Sequence, residues 1–223
     1  MAQRYDLLVF DWDGTLMDST ISIVRAIQHA FRDMGLEVPS DERARHVIGL
    51  GLVDAMRYLN PDLQEADYLQ VVDFYRHYYL SRDHEIELFD GVRDALTRYK
   101  QQGFWLAVAT GKSRKGLDRA LAHSGLAALF DITRCADETF SKPHPEMLFQ
   151  VMDELRADRS ETLMIGDTEY DMEMARNAGV AALAVAYGVH HPERLLRHQP
   201  LDCLEDFQDL RGWLERHLLA ARG

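Results

Sequence analysis

Two aspartates separated by one residue, Asp11 and Asp13, directly follow the apolar run Leu7–Phe10. A short run of large apolar residues that ends at a turn signal predicts a buried strand of a parallel sheet. Open α/β sheets bind their ligands at the carboxyl ends of such strands. Gly14 comes next and lets the backbone turn sharply and approach a ligand closely. Two acids and a tight turn at this position indicate metal-assisted chemistry on a phosphate or a carbonyl group.

A second pair of aspartates, Asp167 and Asp171, follows another apolar run at 162–165. If the two strand ends meet, four carboxylates converge, and each like-charge pair at about 4 Å costs about 4 kcal/mol at an effective dielectric constant near 20. Such a cluster requires a cation or retained protons. Hard oxygen ligands and phosphate chemistry favour Mg²⁺ as that cation. The alternative is that these aspartates only cap turns and helices.

Four segments, in this order along the chain, resemble the motifs of the haloacid dehalogenase-like hydrolases in their phosphatase form. They are Asp-Trp-Asp-Gly-Thr at 11–15, Ala-Thr-Gly-Lys at 109–112, Ser-Lys-Pro at 141–143 and Gly-Asp-Thr-Glu-Tyr-Asp at 166–171. The resemblance covers nearly the whole chain. It implies a Mg²⁺-dependent phosphatase whose helical cap closes over the sheet and selects a small phosphorylated metabolite. Phosphoglycolate-like substrates come first within the family, followed by sugar phosphates and nucleotides.

The resemblance also implies roles for the catalytic residues. Asp11 would be the nucleophile that forms an aspartyl-phosphate intermediate. Asp13 would protonate the leaving oxygen and then deprotonate the hydrolytic water, so the two aspartates must hold different protonation states. Thr110, with Gly111, and Lys142 would bind the phosphoryl oxygens as charge develops on them.

By the same resemblance, Mg²⁺ would be held by Asp11, the backbone carbonyl of Asp13, and Asp167. Asp171 would position Lys142 or a water on the metal. Within the cap, the segment 46–51 resembles the family's glycine-bearing specificity loop. Its neighbour Arg45 is the candidate for binding a second anionic group of the substrate.

The basic residues near these motifs differ in their expected roles. The chain has only four lysines, and Lys142 lies in a loop before Pro143, away from the helical faces where solvated lysines usually occur. Lys112 and Lys115 open a helix, and we expect them to be a solvated helix start that could add positive potential. His190 and His191 are expected to form a polar loop that enters a helix at Pro192.

The periodicity of the apolar residues divides the chain into two parts. Between about residues 20 and 85 the period is helical, and no strand is predicted. From Asp90 onward, strands at 105–109, 131–135, 162–165 and 181–186 alternate with helices. This alternation predicts an α/β chain with a doubly wound parallel sheet. We therefore expect a Rossmann-like core formed by residues 1–15 and 88–223, with an inserted helical cap at 16–87.

Composition narrows the classes of function. The chain has 223 residues, 47% of them hydrophobic, and a net charge of −12, which argues against sequence-independent binding of nucleic acid. Cys135 and Cys203 fit neither a disulfide framework nor a zinc site. No apolar run is long enough for a membrane span, and the N-terminus lacks the pattern of a signal peptide. We expect a soluble cytoplasmic protein without nucleic-acid or membrane partners; its oligomeric state is left open.

Other activities of the family, and other classes of protein, are separated by single features. Asp13 argues against a metal-free dehalogenase, and a phosphonate-cleaving enzyme needs a cap lysine, whereas no lysine precedes Lys100. A phosphomutase of the same family remains an alternative because its chemistry is the same. A phosphorylatable signalling module also combines an aspartate, a threonine and a lysine on a doubly wound sheet, but it lacks the helical insert. A catalytically silent binding protein is the third alternative.

Overall fold

The computed structural model describes residues 5–219. Its strands are β1 (Leu7–Phe10), β2 (Trp105–Thr110), β3 (Ile132–Cys135), β4 (Thr162–Gly166), β5 (Ala181–Val185) and β6 (Cys203–Leu204). All pair in parallel, in the order β3-β2-β1-β4-β5-β6. The predicted doubly wound parallel sheet is confirmed, with β1 at its centre. Strand β6 was not predicted, because two residues are too few to show a periodic pattern.

Ten helices accompany the sheet in the described residues. Five lie between β1 and β2: α1 (Thr20–Asp33), α2 (Asp41–His46), α3 (Leu52–Leu59), α4 (Glu65–Arg82) and α5 (Val92–Gln101). The others are α6 (Arg114–Ser124), α7 (Glu146–Leu155), α8 (Glu169–Ala178), α9 (Pro192–Leu196) and α10 (Phe207–Leu214). A π-helical turn, Glu215–Leu219, continues α10. None of these helices has both the length and the apolar character that crossing a membrane requires.

Strand β1 is apolar at every position because both of its faces are covered. Leu7 and Val9 belong to a buried cluster on one side of the sheet, whereas Leu8 and Phe10 belong to the cluster on the other side. Successive side chains of a strand point to opposite faces, so a strand between two layers of helices needs an unbroken apolar run. This burial explains why β1 could be recognised from sequence and fixes the position of the residues that follow it.

The helical segment leaves and rejoins the sheet layer at one place. The N–H of Asp18 donates to the carbonyl of Glu87 at 3.0 Å, and the N–H of Phe89 donates to the carbonyl of Leu16 at 3.1 Å. Between these two crossings, α1 packs against α4, and α4 packs against α3. As predicted, the described residues between 20 and 85 form helices and no strand. The helical segment is therefore attached to the sheet next to Asp11 and Asp13.

Candidate active site

Three predicted site residues lie at the carboxyl ends of adjacent strands. Asp11 follows β1, Thr110 ends β2 and Asp167 follows β4. Because β1 pairs with both β2 and β4 in parallel, these three ends lie at the same edge of the sheet. All three residues are at most 1% exposed. The strand order therefore brings together residues that are far apart in sequence.

Three carboxylates form a buried cluster at this edge. Asp11, Asp167 and Asp171 each offer an oxygen within 4.8 Å of the others. Two glycines leave room for the cluster: a Cβ atom at Gly14 would lie 2.2 Å from Asp167 Oδ2, and one at Gly188 would lie 2.3 Å from the same oxygen. Since any side chain at either position would collide with Asp167, the close approach of the backbone depends on glycine.

Asp167 is fixed by hydrogen bonds to both carboxylate oxygens. The hydroxyl of Thr15 donates to Oδ1 at 2.7 Å, and the N–H of Val189 donates to Oδ2 at 2.8 Å. Asp171 is also held, since the N–H and the hydroxyl of Thr168 donate to its Oδ2 at 3.0 and 2.6 Å. Thr168 and Asp171 together form the N-terminal capping box of α8. Asp171 therefore caps a helix and also belongs to the carboxylate cluster.

Lys142 is the cation of this cluster. Its Nζ lies 2.8 Å from Asp11 Oδ1 and 2.7 Å from Asp171 Oδ1, and its side chain is 0% exposed. Burial by itself lowers the pKa of Lys142, but the two carboxylates outweigh this effect and raise it, so the side chain stays charged. If the three carboxylates are ionised, three negative charges face one positive charge and two remain uncompensated.

Burial, together with neighbouring charges, shifts the pKa values of two carboxyl groups of this cluster. Burial raises the pKa of Asp11 to about 7 against the lowering effect of Lys142. Burial, followed by the charges of Asp11 and Asp171, raises the pKa of Asp167 well above its usual value. Asp11 Oδ1 accepts from the N–H of Trp12 at 2.7 Å, whereas the buried Oδ2 has no hydrogen-bond partner among residues 5–219. Oxygen ligands, excess negative charge and an unpartnered buried oxygen together fit a hard divalent cation.

The side chain of Asp13 lies outside this cluster. Lys112 Nζ lies 2.8 and 2.9 Å from its two carboxylate oxygens, and the hydroxyl of Ser19 donates to Oδ1 at 2.6 Å. Tyr79 of α4 contacts the same ammonium group, with its hydroxyl oxygen 2.9 Å from Nζ. Asp11 and Asp13 therefore have different electrostatic surroundings although a single residue separates them. The prediction that the backbone carbonyl of Asp13 binds the metal stays a prediction.

A cavity of about 690 Å³ opens between the sheet edge and the helical segment. Asp11, Asp13, Thr110 and Gly111 line its sheet side. The helical side is largely apolar and includes Ile23, Ile27, Val47, Ile48, Leu52 and Tyr79. This volume lies within the range of small-molecule binding sites.

The loop 47–51 of the helical segment contacts the loops that carry the motifs. A Cβ atom at Gly111 would lie 2.5 Å from the carbonyl oxygens of both Gly49 and Leu50, so this contact also requires glycine. The N–H of Gly51 donates to Ser141 Oγ at 2.7 Å. The specificity loop expected at 46–51 therefore lies beside the residues expected to bind the phosphoryl group.

Comparison with known proteins places the chain in a family. The sequence model of the haloacid dehalogenase-like hydrolases matches residues 8–185. A protein of Dickeya dadantii named "Probable phosphatase IndB" is 34% identical over 212 residues, which are 92% of each chain. The chain belongs to the haloacid dehalogenase-like hydrolase family. A phosphoglycolate phosphatase of Aliivibrio fischeri is 32% identical over 220 residues, covering 94% of this chain and 96% of the relative.

A solved structure supports the same haloacid dehalogenase-like fold. A hydrolase from Pseudomonas syringae superposes with a TM-score of 0.87 at 23% identity, covering 96% of this chain and 98% of that one. The predicted family, fold class and enzyme class, a phosphatase, are thus confirmed. The motifs that carried the resemblance lie on the strand ends and loops around the carboxylate cluster.

Arg45 and Lys112, which the sequence analysis also considered, lie outside the carboxylate cluster. Arg45, in α2, is half-buried and is not among the described residues that line the cavity, so its role as an anion ligand stays a prediction. Lys112 was expected to be a solvated helix start, and this is wrong: its side chain is 8% exposed and pairs with Asp13. Lys112 closes the motif at 109–112, whereas Lys115, which is exposed, lies outside it; nothing else in the local sequence distinguishes the two lysines.

The histidine pair divides between two environments. As predicted, His191 lies at the end of a loop and caps α9, which begins at Pro192. His190 is buried instead: its Nδ1 accepts from the N–H of Glu169 at 3.0 Å, and its ring stacks on that of His46 with centroids 5.5 Å apart. Burial lowers the pKa of His190 to about 4, so it packs as a neutral ring between the helical segment and α8.

Proposed function

We propose that this protein is a Mg²⁺-dependent phosphatase that hydrolyses a small phosphate monoester through an aspartyl-phosphate on Asp11. The observation that carries the proposal is the buried cluster of Asp11, Asp167 and Asp171 around Lys142. Within it, the unpartnered Oδ2 of Asp11 is the oxygen available to attack phosphorus. A nucleophile in a buried site whose excess negative charge a divalent cation would compensate fits phosphoryl transfer, which depends on positioning and electrostatic stabilisation.

Mg²⁺ would be held by Asp11, Asp167 and the backbone carbonyl of Asp13, with Asp171 nearby. When bound, the ion supplies Lewis-acid stabilisation of the charge on the phosphoryl oxygens. The hydrogen bonds from Thr15 and Val189 keep Asp167 in one orientation without the ion, so the site is largely preformed.

The reaction uses the two aspartates in turn. In the first step, an Asp11 oxygen forms a bond to phosphorus while the bond from phosphorus to the leaving oxygen breaks, and Asp13 gives its proton to that oxygen. In the second step, water forms a bond to phosphorus, its proton passes to Asp13, and the bond from Asp11 to phosphorus breaks. The products are an alcohol and inorganic phosphate, and both aspartates return to their initial states. Thr110, Gly111 and Lys142 bind the phosphoryl oxygens throughout.

We further propose that residues 16–87 act as a cap on a core formed by residues 1–15 and 88–223. The cavity lies between these two parts, so the leaving group of the substrate would contact the apolar residues of the cap while its phosphoryl group contacts the core. The relative from Aliivibrio fischeri is a phosphoglycolate phosphatase. The cavity, at about 690 Å³, also accepts larger leaving groups such as sugars and nucleosides.

The test is a screen of phosphoglycolate, sugar phosphates and nucleoside monophosphates with and without Mg²⁺. We expect turnover that requires Mg²⁺ and disappears in Asp11→Asn. The exposed Asp18, seven residues away, provides the matched control, and Asp18→Asn should keep the wild-type rate. Mass spectrometry of rapidly quenched enzyme should show one phosphoryl group on the peptide containing Asp11. Turnover that survives Asp11→Asn, or that is unaffected by removal of divalent ions, would reject the proposal.

A further inference from the structure

The ammonium group of Lys112 has three polar neighbours, drawn from two parts of the molecule. Its Nζ lies 2.8 Å from Asp13 Oδ1, 2.9 Å from Asp13 Oδ2 and 2.9 Å from the hydroxyl oxygen of Tyr79. An ammonium group has three hydrogens to donate, and these three acceptors use all of them. Lys112 therefore has no remaining hydrogen for an anionic group of a substrate while this arrangement holds.

These contacts connect the acid–base aspartate to the helical segment. Asp13 follows β1, Lys112 lies in the loop between β2 and α6, and Tyr79 lies near the end of α4. Tyr79 is itself fixed, because its ring stacks on Tyr75 with centroids 5.6 Å apart and an interplanar angle of 11°. The side chains of Lys112 and Asp13 are 8% and 11% exposed, so little water is available to replace either contact.

We propose that Lys112 and Tyr79 are positioning residues that hold the Asp13 carboxyl group at the cavity wall, so that proton transfer to the leaving group requires α4 to be seated on the sheet. The inference rests on the proposed function, since it assumes that Asp13 is the acid. Ser19 holds one Asp13 oxygen from the other side, at 2.6 Å. Without Lys112 the carboxyl group would keep, among residues 5–219, only the hydrogen bond from Ser19 and would be free to rotate about its side-chain bonds.

The leaving group provides a readout that a purely structural role would not affect. An alkyl phosphate releases a poor leaving group and needs protonation, whereas 2,4-dinitrophenyl phosphate releases a stable phenolate that needs none. General acid catalysis contributes about 10²- to 10⁴-fold when protonation is required. A variant that disturbs Asp13 should therefore slow release of the alkyl leaving group in the first step and spare release of dinitrophenolate. The second step, in which Asp13 deprotonates water, is the same for both substrates, so only the first step discriminates between them.

The experiment measures leaving-group release in single turnovers with enzyme in excess, for 2,4-dinitrophenyl phosphate and for the alkyl phosphate with the highest turnover in the metabolite screen. Asp13→Asn gives the reference loss for removal of the acid. We expect Lys112→Met to lower the release rate for the alkyl phosphate by about 100-fold and for the aryl phosphate by no more than about threefold, because a misplacement near 1 Å costs about that much. Tyr79→Phe removes one oxygen atom and should lower the alkyl rate by about tenfold. Lys112→Arg should recover part of the alkyl rate.

The neighbouring tyrosine supplies the matched control. Tyr78 lies on the same helix but stacks on His29, with centroids 3.9 Å apart, and does not line the cavity. Tyr78→Phe should keep both wild-type rates. If Lys112→Met fails to fold, Tyr79→Phe still tests the inference, and thermal melting checks that this second variant is folded.

The outcomes separate the inference from the function on which it rests. If Asp13→Asn slows leaving-group release from both substrates equally, Asp13 is not the acid, and the inference falls with that assignment. If Asp13→Asn discriminates between the substrates but Lys112→Met and Tyr79→Phe do not, only the inference is overturned. A rise in the half-saturating concentration at a constant release rate would also overturn it, because Lys112 would then bind substrate.

Discussion

The two buried lysines of the site, Lys142 and Lys112, each pair with one aspartate of the first motif, but in different regions of the molecule. Lys142 lies in the loop between β3 and α7 and contacts Asp11, which follows β1, and Asp171, which lies in α8. Its side chain is 0% exposed. Lys112 contacts Asp13 and also Tyr79, which belongs to the helical segment, and it lines the cavity.

The two lysines differ in the charge that surrounds them and in which part of the molecule supplies their partners. Lys142 pairs with two carboxylates of a cluster of three and leaves negative charge in excess, which a divalent cation would compensate. Lys112 faces one carboxylate, so its surroundings are balanced without a metal. The Asp11 side is complete within the core, whereas the Asp13 side is complete only when α4 is in place. The proposed nucleophile and the proposed acid are thus separated by one residue in sequence but supported by different parts of the fold.

Replacing the core lysine should have the largest effect. In Lys142→Met, Asp11 and Asp171 lose their buried cation, and removing one partner of a buried ion pair costs about 3–5 kcal/mol. We expect the free energy of unfolding in urea to fall by about that amount. We also expect kcat to fall by at least about 10³-fold, because a charge that stabilises the phosphoryl oxygens is lost.

The comparison with Lys112 sharpens this prediction. Because Lys142 is not expected to act through the leaving group, Lys142→Met should slow the alkyl and dinitrophenyl phosphates by similar factors. Lys112→Met, measured with the same two substrates, should discriminate between them. If both lysine variants give the same pattern, the two regions do not have separate roles.

The burial of Asp11 should make the stability of the metal-free protein depend on pH. The pKa of Asp11 is raised to about 7 in the folded state, mainly by burial, while an unfolded aspartate titrates near 3.9. Between these values the folded state binds more protons than the unfolded state, so this group makes the protein less stable as pH rises toward 7. In Asp11→Asn the dependence is absent.

Urea unfolding of wild type and Asp11→Asn in EDTA, between pH 5 and pH 8, measures this effect. The stability difference should shift in favour of Asp11→Asn with rising pH, by on the order of a few kcal/mol. Saturating Mg²⁺ should remove most of the shift, because a ligand that binds only the folded state stabilises it. A stability difference that does not change with pH would show that the surroundings of Asp11 do not raise its pKa in the folded state.

Much of the core could be predicted because its signals are local. The apolar runs of β1, β2 and β4 mark buried strands, and parallel pairing then brings Asp11, Thr110 and Asp167 to one edge. The order of the four motifs along the chain also predicted the family. Nothing beyond the strand positions and their direction was needed to anticipate a carboxylate cluster.

The boundary between core and helical segment could not be predicted in the same way. Lys112 contacts Asp13 and Tyr79, which lie 99 and 33 positions earlier in the chain. The sequence around Lys112 indicates neither partner. His190 is buried because His46, 144 positions earlier, packs against it. Such contacts depend on how a helical segment sits on a sheet, which periodicity does not encode.

The smallest predicted effect tests a contact between the same two regions that does not involve Asp13. Ser141 Oγ accepts the N–H of Gly51, at the start of α3, and Ser141 precedes Lys142. Ser141→Ala removes the acceptor from a half-buried amide, at a cost of about 1 kcal/mol. That cost corresponds to about a fivefold change in the equilibrium that seats the loop on the core.

We therefore expect Ser141→Ala to lower kcat/KM by about fivefold for both leaving-group classes, with a small decrease in the thermal melting temperature. The equal effect on both substrates follows because seating the loop helps to bind the phosphoryl group but does not orient the acid. Steady-state kinetics with the two substrates gives the answer directly. A selective loss on the alkyl phosphate would mean that any weakened contact between helical segment and core disturbs Asp13, and that Lys112 and Tyr79 have no special part in holding it.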